Sequence, residues 1–216
     1  MSTNKFIVVE GIDYAGKTTV VEQLTDILEK NGYSVCNTRE PGGHTLGEKV
    51  REILVSQDAN DPRDKDVWGI LLAATRIEHG RHLINPALAE GKVVISSRYI
   101  MSTMTYQPEA MKWIQRITTG HQDVAEPDHM ILCDVSTETA KQRKQKRSVD
   151  SPEDFDYMDD LWVPEWEAQR EVFKGIATKL GDMATIFSTE SPLDVQYARL
   201  ELLLHNLGFK INAQEV

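Results

Sequence analysis

The chain has 216 residues, 40% hydrophobic and 27% charged, which suits one soluble domain with a real core and excludes disorder as its main state. Its 24 basic residues face 34 acidic ones, a net charge of −10, which excludes the broad basic face a nucleic-acid polymer needs. No apolar run reaches the roughly 18–20 residues of a membrane span, the N-terminus does not read as a signal peptide, and two cysteines outside any CxxC build no disulfide framework, so a reducing, cytoplasmic setting is the default expectation.

Short apolar runs alternate with helical stretches, the pattern of a parallel α/β sheet. Lys5–Glu10 reads as the first strand. A helix follows from Lys17 to Lys30, because Val20, Leu24, Ile27 and Leu28 recur at helical spacing and Asn31-Gly32 supplies a stop. Tyr33–Thr38 is the second strand. Leu46–Val55 and Asp66–Leu88 read as helices separated by the turn-rich QDANDPRD. Lys92–Ser97, His129–Asp134 and Ala184–Ser188 complete five strands, and Leu193–Leu207 is the last helix. Strands this apolar are expected to be buried on both faces, with right-handed crossovers giving a three-layer sandwich. Ligands then collect at the carboxyl ends of the strands.

Between the first strand and the first helix lies Gly11-Ile12-Asp13-Tyr14-Ala15-Gly16-Lys17-Thr18, a G-x-x-x-x-G-K-T phosphate loop in the context that supports it. Its glycines let successive N–H groups turn inward, and the helix presents its positive end to an anion. Lys17 is placed to reach the β- and γ-phosphates and Thr18 to ligate Mg²⁺. A base-reading NKxD is absent from the sequence, and the third strand ends Ser96-Ser97 where large ATPases place acidic residues. Guanine-nucleotide switches and ATPase machines are therefore disfavoured.

The sequence resembles the thymidylate kinases over nearly its whole length. The resemblance rests on FIVVEGIDYAGKTT (6–19), TREPGG (38–43), LGEKVREIL (46–54), AATR (73–76), INPALAEGKVVISSRY (84–99), STMTYQ (102–107) and PDHMILCDVS (127–136). It implies a three-layer α/β/α sandwich with a five-stranded parallel sheet, of the P-loop nucleoside monophosphate kinase type. It also implies one kinase domain over 1–216, with a lid at about 141–158, that transfers the γ-phosphoryl of ATP to dTMP with Mg²⁺. A homodimer formed through the helices on one side of the sheet is implied as well.

Site residues follow from the resemblance position by position. Gly11, Ile12, Asp13, Tyr14, Ala15, Gly16, Lys17, Thr18 and Thr19 would hold ATP. Asp13 would face the acceptor 3′-hydroxyl and, with Thr18, the metal. Glu40 and Pro41 would wall the acceptor site, Arg51 and Arg98 would bind its phosphate, and Arg76 would read the pyrimidine edge. Ser102, Thr103, Tyr106 and Gln107 would complete the pocket, and Ser188–Pro192 would lie beside adenine. In the lid, the basic run Lys141, Arg143, Lys144, Lys146, Arg147 would meet the transferring phosphoryl, Arg147 ahead of Arg143. Simpler roles stand beside these: a turn for Asp13 and Pro-Gly-Gly, surface or structural ion pairs for Arg51 and Arg98, core filling for Tyr106, and a solvated face for the basic run.

Four departures from the family pattern bear on function. Ser97 stands where Asp is usual before Arg-Tyr, and Glu10 or Asp13 is the candidate for the missing charge. Leu72 replaces the Phe that stacks on thymine, which predicts relaxed selectivity among dUMP and other 5-substituted deoxyuridine monophosphates. Tyr14 occupies a P-loop position that carries Arg in some members, and the lid turns acidic in VDSPEDFDYMDD (149–160). Two alternatives remain: a non-catalytic P-loop nucleotide binder, or a kinase for a different, modified deoxynucleoside monophosphate. The six histidines read as surface or interface residues, Cys36 and Cys133 as small buried hydrophobes, and Trp162 and Trp166 as packing residues after the lid.

Overall fold

The computed structural model describes residues 4–56, 64–150 and 163–212. Most of the QDANDPRD connection, positions 151–158 of the expected lid and Trp162 lie outside the described residues. Five parallel strands form one sheet: β1 (Phe6–Glu10), β2 (Val35–Arg39), β3 (Val93–Ser97), β4 (His129–Asp134) and β5 (Ala184–Ser188), in the order β2-β3-β1-β4-β5. β1 is central, with Ile7 opposite Ile95 on one side and His129 on the other. The three inner strands are almost wholly buried, as expected. The expectation of double burial fails for β2 and β5. They are the edges of the sheet, and all their residues but Phe187 are partly or fully exposed.

Helices pack around the sheet. α1 (Lys17–Lys30) buries Val20, Leu24, Ile27 and Leu28, and Asn31 Nδ2 closes its last turn on Ile27 O at 2.7 Å. α2 covers Thr45–Ser56 and α3 covers Lys65–His79, the latter capped by Asp64 Oδ1 accepting from Asp66 N at 3.0 Å and Val67 N at 3.1 Å. The single helix expected over Asp66–Leu88 is interrupted by a π-turn, Gly80–Ile84, before α4 (Asn85–Ala89). Pro86 has no N–H to donate one turn back, and its ring crowds that carbonyl, so the helix widens just before it. α5 (Ile100–Tyr106), α6 (Met111–Thr118), α7 (Thr137–Asp150), α8 (Trp166–Leu180) and α9 (Leu193–Asn206) follow.

One buried cluster runs from Phe6 to Phe209 and joins the sheet to the helices. All the strands end at the same edge, at Glu10, Arg39, Ser97, Asp134 and Ser188. The loops that leave those ends build the cleft described next. Among the described residues, no helix is long and apolar enough to cross a membrane.

Candidate active site

The loop from Gly11 to Gly16 wraps the start of α1. Gly11 has φ +139°, and a Cβ there would lie 2.6 Å from Cys133 O, so no larger residue fits without moving β4. Tyr14 and Gly16 also have positive φ. α1 begins with no side-chain cap and no acidic residue in its first turn. Its first N–H groups and its positive dipole end are thereby offered to an anion. Lys17 Nζ donates to Gly11 O at 3.1 Å and Ile12 O at 2.6 Å. Burial, with the Arg98 charge adding to it, pushes the Lys17 ammonium down to about 8.

The loop after β5 is fastened to this one. Thr189 Oγ1 donates to Ala15 O at 2.7 Å. Arg143 Nη1 donates to Tyr14 O at 3.3 Å and Thr189 Oγ1 at 3.2 Å, and its Nη2 to Thr189 O at 2.6 Å. Arg147, one helical turn further along α7, lines the same cleft.

Arg98 follows β3 with φ +68°, a conformation that side-chain-bearing residues rarely adopt. It is held there by its N–H on Val9 O at 2.8 Å and by Ser96 Oγ on its carbonyl at 2.8 Å. Its Nη1 reaches Gly11 O at 3.2 Å, Ser102 Oγ at 3.1 Å and Tyr106 OH at 3.4 Å, and its Nη2 pairs with Asp13 Oδ1. Burial alone would raise the Asp13 carboxyl, but Arg98 and Lys17 beside it hold it below the usual range. Glu10 does not line the cleft. It is fully buried, and both its oxygens accept from the first turn of α5. Asp13 is the carboxylate that meets Arg98, beside an uncharged Ser97.

A second buried group lies under the TREPGG turn, whose Glu40–Pro41 peptide is cis. Glu40 Oε2 accepts from Arg76 Nε at 2.8 Å and Nη2 at 2.6 Å. Its Oε1 lies 3.2 Å from His79 Nδ1, which must donate because a carboxylate only accepts. His79 Nε2 lies 2.7 Å from Thr38 Oγ1, and Arg76 Nη2 also donates to Thr103 Oγ1 at 2.9 Å. Gly43 sits directly over the Thr38–His79 contact, where a Cβ would clash with both side chains. Arg76 Nη1 is buried with no partner and belongs to the cleft wall, so one donor of this arginine remains for a ligand. The surface role expected for the histidines is thus wrong for His79, and also for His129, which is buried with its Nε2 2.9 Å from Thr185 Oγ1. Both replace lost hydration with hydrogen bonds inside the fold.

These parts enclose one cleft of about 690 Å³. It brings together Asp13, Tyr14, Gly16, Lys17, Thr18, Thr19, Glu40, Pro41, Arg51, Leu72, Arg76, Arg98, Ser102, Thr103, Tyr106, Gln107, Arg143 and Arg147. Of the residues singled out in the sequence, Gly11, Ile12 and Ala15 do not line it, their side of the loop being buried, and Lys141, Lys144, Lys146 and Ser188–Pro192 do not line it either. Tyr106 is cleft wall and packing at once, its ring edge-on to Phe173 at 5.9 Å. Trp166 packs as expected, buried against Tyr14 at 5.9 Å. Cys133 is buried and its thiol pushed up to about 12 by that burial, whereas Cys36 is half-exposed on the edge strand. Lys65 and Trp68 also line the cleft and went unremarked in the sequence. Their signal was present: Trp68, Leu72 and Arg76 recur every fourth residue on one face of α3.

The sequence matches the thymidylate kinase family model over residues 9–163. It is 39% identical to a thymidylate kinase of Desulfosudis oleivorans over 66% of this chain and 68% of that one. It is 32% identical to a thymidylate kinase of Francisella tularensis over 89% of this chain and 92% of that one. The crystal structure of thymidylate kinase from Ehrlichia chaffeensis superposes with a TM-score of 0.65 at 26% identity, covering 93% of this chain and 98% of that one. With a family match over most of its length and a phosphate loop facing a cation-lined cleft, the chain belongs to the thymidylate kinase family and is an enzyme of that class.

Proposed function

We propose that this protein transfers the γ-phosphoryl group of ATP to the 5′-phosphate of dTMP, and that it also accepts dUMP and other 5-substituted deoxyuridine monophosphates. The observation that carries the reading is the layout of the cleft. The phosphate loop with Lys17 lines it, Arg98 joins that loop at Gly11 O and Asp13, and Arg51 and the open Nη1 of Arg76 line it as well. Residues 11–19 hold the triphosphate through backbone N–H groups and Lys17. Arg51 and Arg98 grip the acceptor phosphate, Arg76 Nη1 donates to the base, and Glu40, Pro41, Ser102, Thr103, Tyr106 and Gln107 close the pocket. Asp13 accepts from the sugar hydroxyl. Little covalent chemistry is asked of these groups, whose task is alignment and charge neutralisation.

The residues fit a magnesium ion shared with the nucleotide. Among the described residues no cluster of three His, Cys, Asp or Glu could cage a metal. Mg²⁺ in such sites takes one or two protein oxygens and completes its shell with phosphates and water. Thr18 and the ionised Asp13 line the cleft and would hold it. When bound, the ion neutralises charge on the phosphate oxygens.

We assign the phosphoryl-facing role to Arg147 ahead of Arg143; the two line the cleft one turn apart on α7. The chain is read as one kinase domain, supported by the large buried cluster from Phe6 to Phe209 that joins the sheet to its helices. It is read as a homodimer through α2, α3 and α6, supported by exposed Leu46, Ile53, Val67, Ile70 and Trp113 on those helices. Sedimentation should then give twice the chain mass of 24.5 kDa.

Relaxed selectivity follows from the leucine at 72. One buried methyl separates dTMP from dUMP, worth about 0.8 kcal/mol, and pockets discriminate weakly on that scale. A coupled ADP-release assay across dTMP, dUMP, 5-hydroxymethyl-dUMP, dCMP and dGMP tests the whole reading, with Lys17→Ala as control. Turnover with the uridine series and little with dCMP or dGMP is expected. A preference for dTMP over dUMP above about a hundredfold refutes relaxed selectivity, and no turnover with any acceptor refutes the kinase.

A further inference from the structure

Glu10 is the last residue of β1 and is fully buried, with no place among the groups that would touch substrate. Its Oε1 accepts from Tyr99 N at 2.8 Å and Ser102 N at 3.1 Å, and its Oε2 from Ser102 Oγ at 2.6 Å. Two of these donors are main-chain N–H groups at the start of α5, which no preceding side chain caps. The third has a directional consequence. Ser102 Oγ donates to Glu10 Oε2, so the hydroxyl proton points at Glu10. The hydroxyl's lone pairs are then left for Arg98 Nη1, which donates to Ser102 Oγ at 3.1 Å. The same Nη1 touches Gly11 O at 3.2 Å, the residue next to Glu10 in the phosphate loop. Arg98 itself is held at a positive φ, so its aim depends on such outside contacts.

We infer that Glu10 is a positioning residue: through the Ser102 hydroxyl and the first turn of α5 it aims Arg98 at the acceptor phosphate and ties that aim to the phosphate loop. The inference rests on the proposed reading of Arg98 as an acceptor-phosphate ligand. Burial raises the Glu10 carboxyl against the opposing pull of Ser102 and Arg98, so the fold tolerates this buried acid only with its donors in place. Lys17 and Arg76 also lie within its electrostatic reach.

Glu10→Gln is nearly isosteric and separates this role from simple packing. An amide has one accepting oxygen where the carboxylate has two. If its NH₂ faces Ser102, the hydroxyl accepts from the amide and its proton no longer has an acceptor at position 10. If its NH₂ faces α5, it opposes two main-chain donors. In the first case the hydroxyl loses the partner that fixes its proton, and in the second the first turn of α5 that carries Ser102 is pushed away, so either way Ser102 no longer holds Arg98 in a fixed aim. The expected result is a dTMP KM raised about tenfold with the ATP KM within about twofold, since only the acceptor clamp is disturbed. Ser102→Ala should show the same split, and the double variant should be no worse than Glu10→Gln alone, because the two act in one chain. A readout that needs no substrate is the ¹⁵N spectrum of the Arg98 guanidinium. Slow rotation about its Cζ–Nη bonds is expected in the parent and fast rotation in both variants. Equal rises in both KM values, additive effects, an unchanged Ser102→Ala or an unchanged Arg98 spectrum would each overturn the inference. Should Glu10→Gln not fold, Ser102→Ala and the spectrum decide alone. Absence of dTMP turnover in the parent would instead sink the functional reading and leave the spectrum to judge Glu10.

Discussion

The two ends of the cleft are built differently. The donor end is one contiguous stretch, residues 11–19, in which main-chain N–H groups, a helix start and one lysine make the site. The acceptor end is assembled from side chains of β1, α2, α3 and the β3–α5 connection, held by two buried carboxylates, Glu10 and Glu40. A site made of backbone keeps its fold when its side chains change but not when its glycines do. A site made of buried ion pairs fails when either partner is removed, because a charge is left unpaired out of water.

The largest effect should come from breaking the acceptor end. Glu40→Ala removes the carboxylate from Arg76, which is only 2% exposed, and should cost about 3–5 kcal/mol of stability. Denaturant unfolding measures it. A loss below about 1 kcal/mol would show that Thr103 and the Tyr99 ring, 4.7 Å from the guanidinium, suffice to hold Arg76. Lys17→Ala strikes the other end and should leave stability nearly intact while lowering kcat by about 100- to 1000-fold, the usual loss when one preorganised donor to transition-state charge is removed. If Lys17→Ala destabilised the fold as much as Glu40→Ala, the contrast between backbone-built and side-chain-built ends would collapse.

The donor end also carries a pH signature. The Lys17 ammonium sits at about 8 without a ligand, and a triphosphate favours the charged form. Above pH 8, ATP must bind together with a proton, so its affinity should fall by about tenfold per pH unit until the bound-state value is passed. In the ligand-free protein the sign is opposite. Burial disfavours the charged lysine below pH 8, and this penalty is relieved between about 8 and the ordinary 10.5 as the folded state sheds the proton first. Calorimetric titrations of ATP at rising pH measure the first effect. Lys17→Arg, which stays charged, should flatten it.

The same contrast explains what could be read from the residues in order. The boundaries of α1, β4 and β5 follow directly from apolar spacing and flanking turn residues. The phosphate loop is equally legible because its parts are neighbours in the chain. β2 begins at Val35 and not Tyr33, because Tyr33 N still closes the end of α1 on Leu28 O at 3.0 Å. The long helix expected over 66–88 hides a π-turn, since periodicity reports faces and not hydrogen-bond register. Glu10 was legible only as a candidate for the charge missing at Ser97, and His79 only as a surface or interface residue. Their partners lie 39 to 92 positions away, counting the His79–Glu40 and Ser102–Glu10 contacts, and nothing local shows what a strand-end glutamate will meet. The acceptor residues were named through family resemblance, and the structure adds what holds them.

The smallest expected effect concerns the base. Leu72 offers no aromatic face, but Trp68 lies one turn earlier on α3 and lines the same cleft beside it. Side chains on a helix lean toward its N-terminus, so Trp68 reaches the outer part of the pocket while Arg76 holds the inner part. If the indole covers the base, Trp68→Ala should raise the dTMP KM by roughly 2- to 10-fold, the worth of one aromatic contact of about 0.5–1.5 kcal/mol, and leave the ATP KM unchanged. Trp68→Phe should recover most of it. Leu72→Phe in the Trp68→Ala background sharpens the comparison, because it moves the aromatic face one turn inward. Restored dTMP affinity there would show that the acceptor end needs an aromatic ring but accepts either position for it. An unchanged KM in Trp68→Ala would leave Leu72 and the Arg76 donor as the base contacts on α3, and would make the acceptor end depend on its polar groups even more than the buried carboxylates imply.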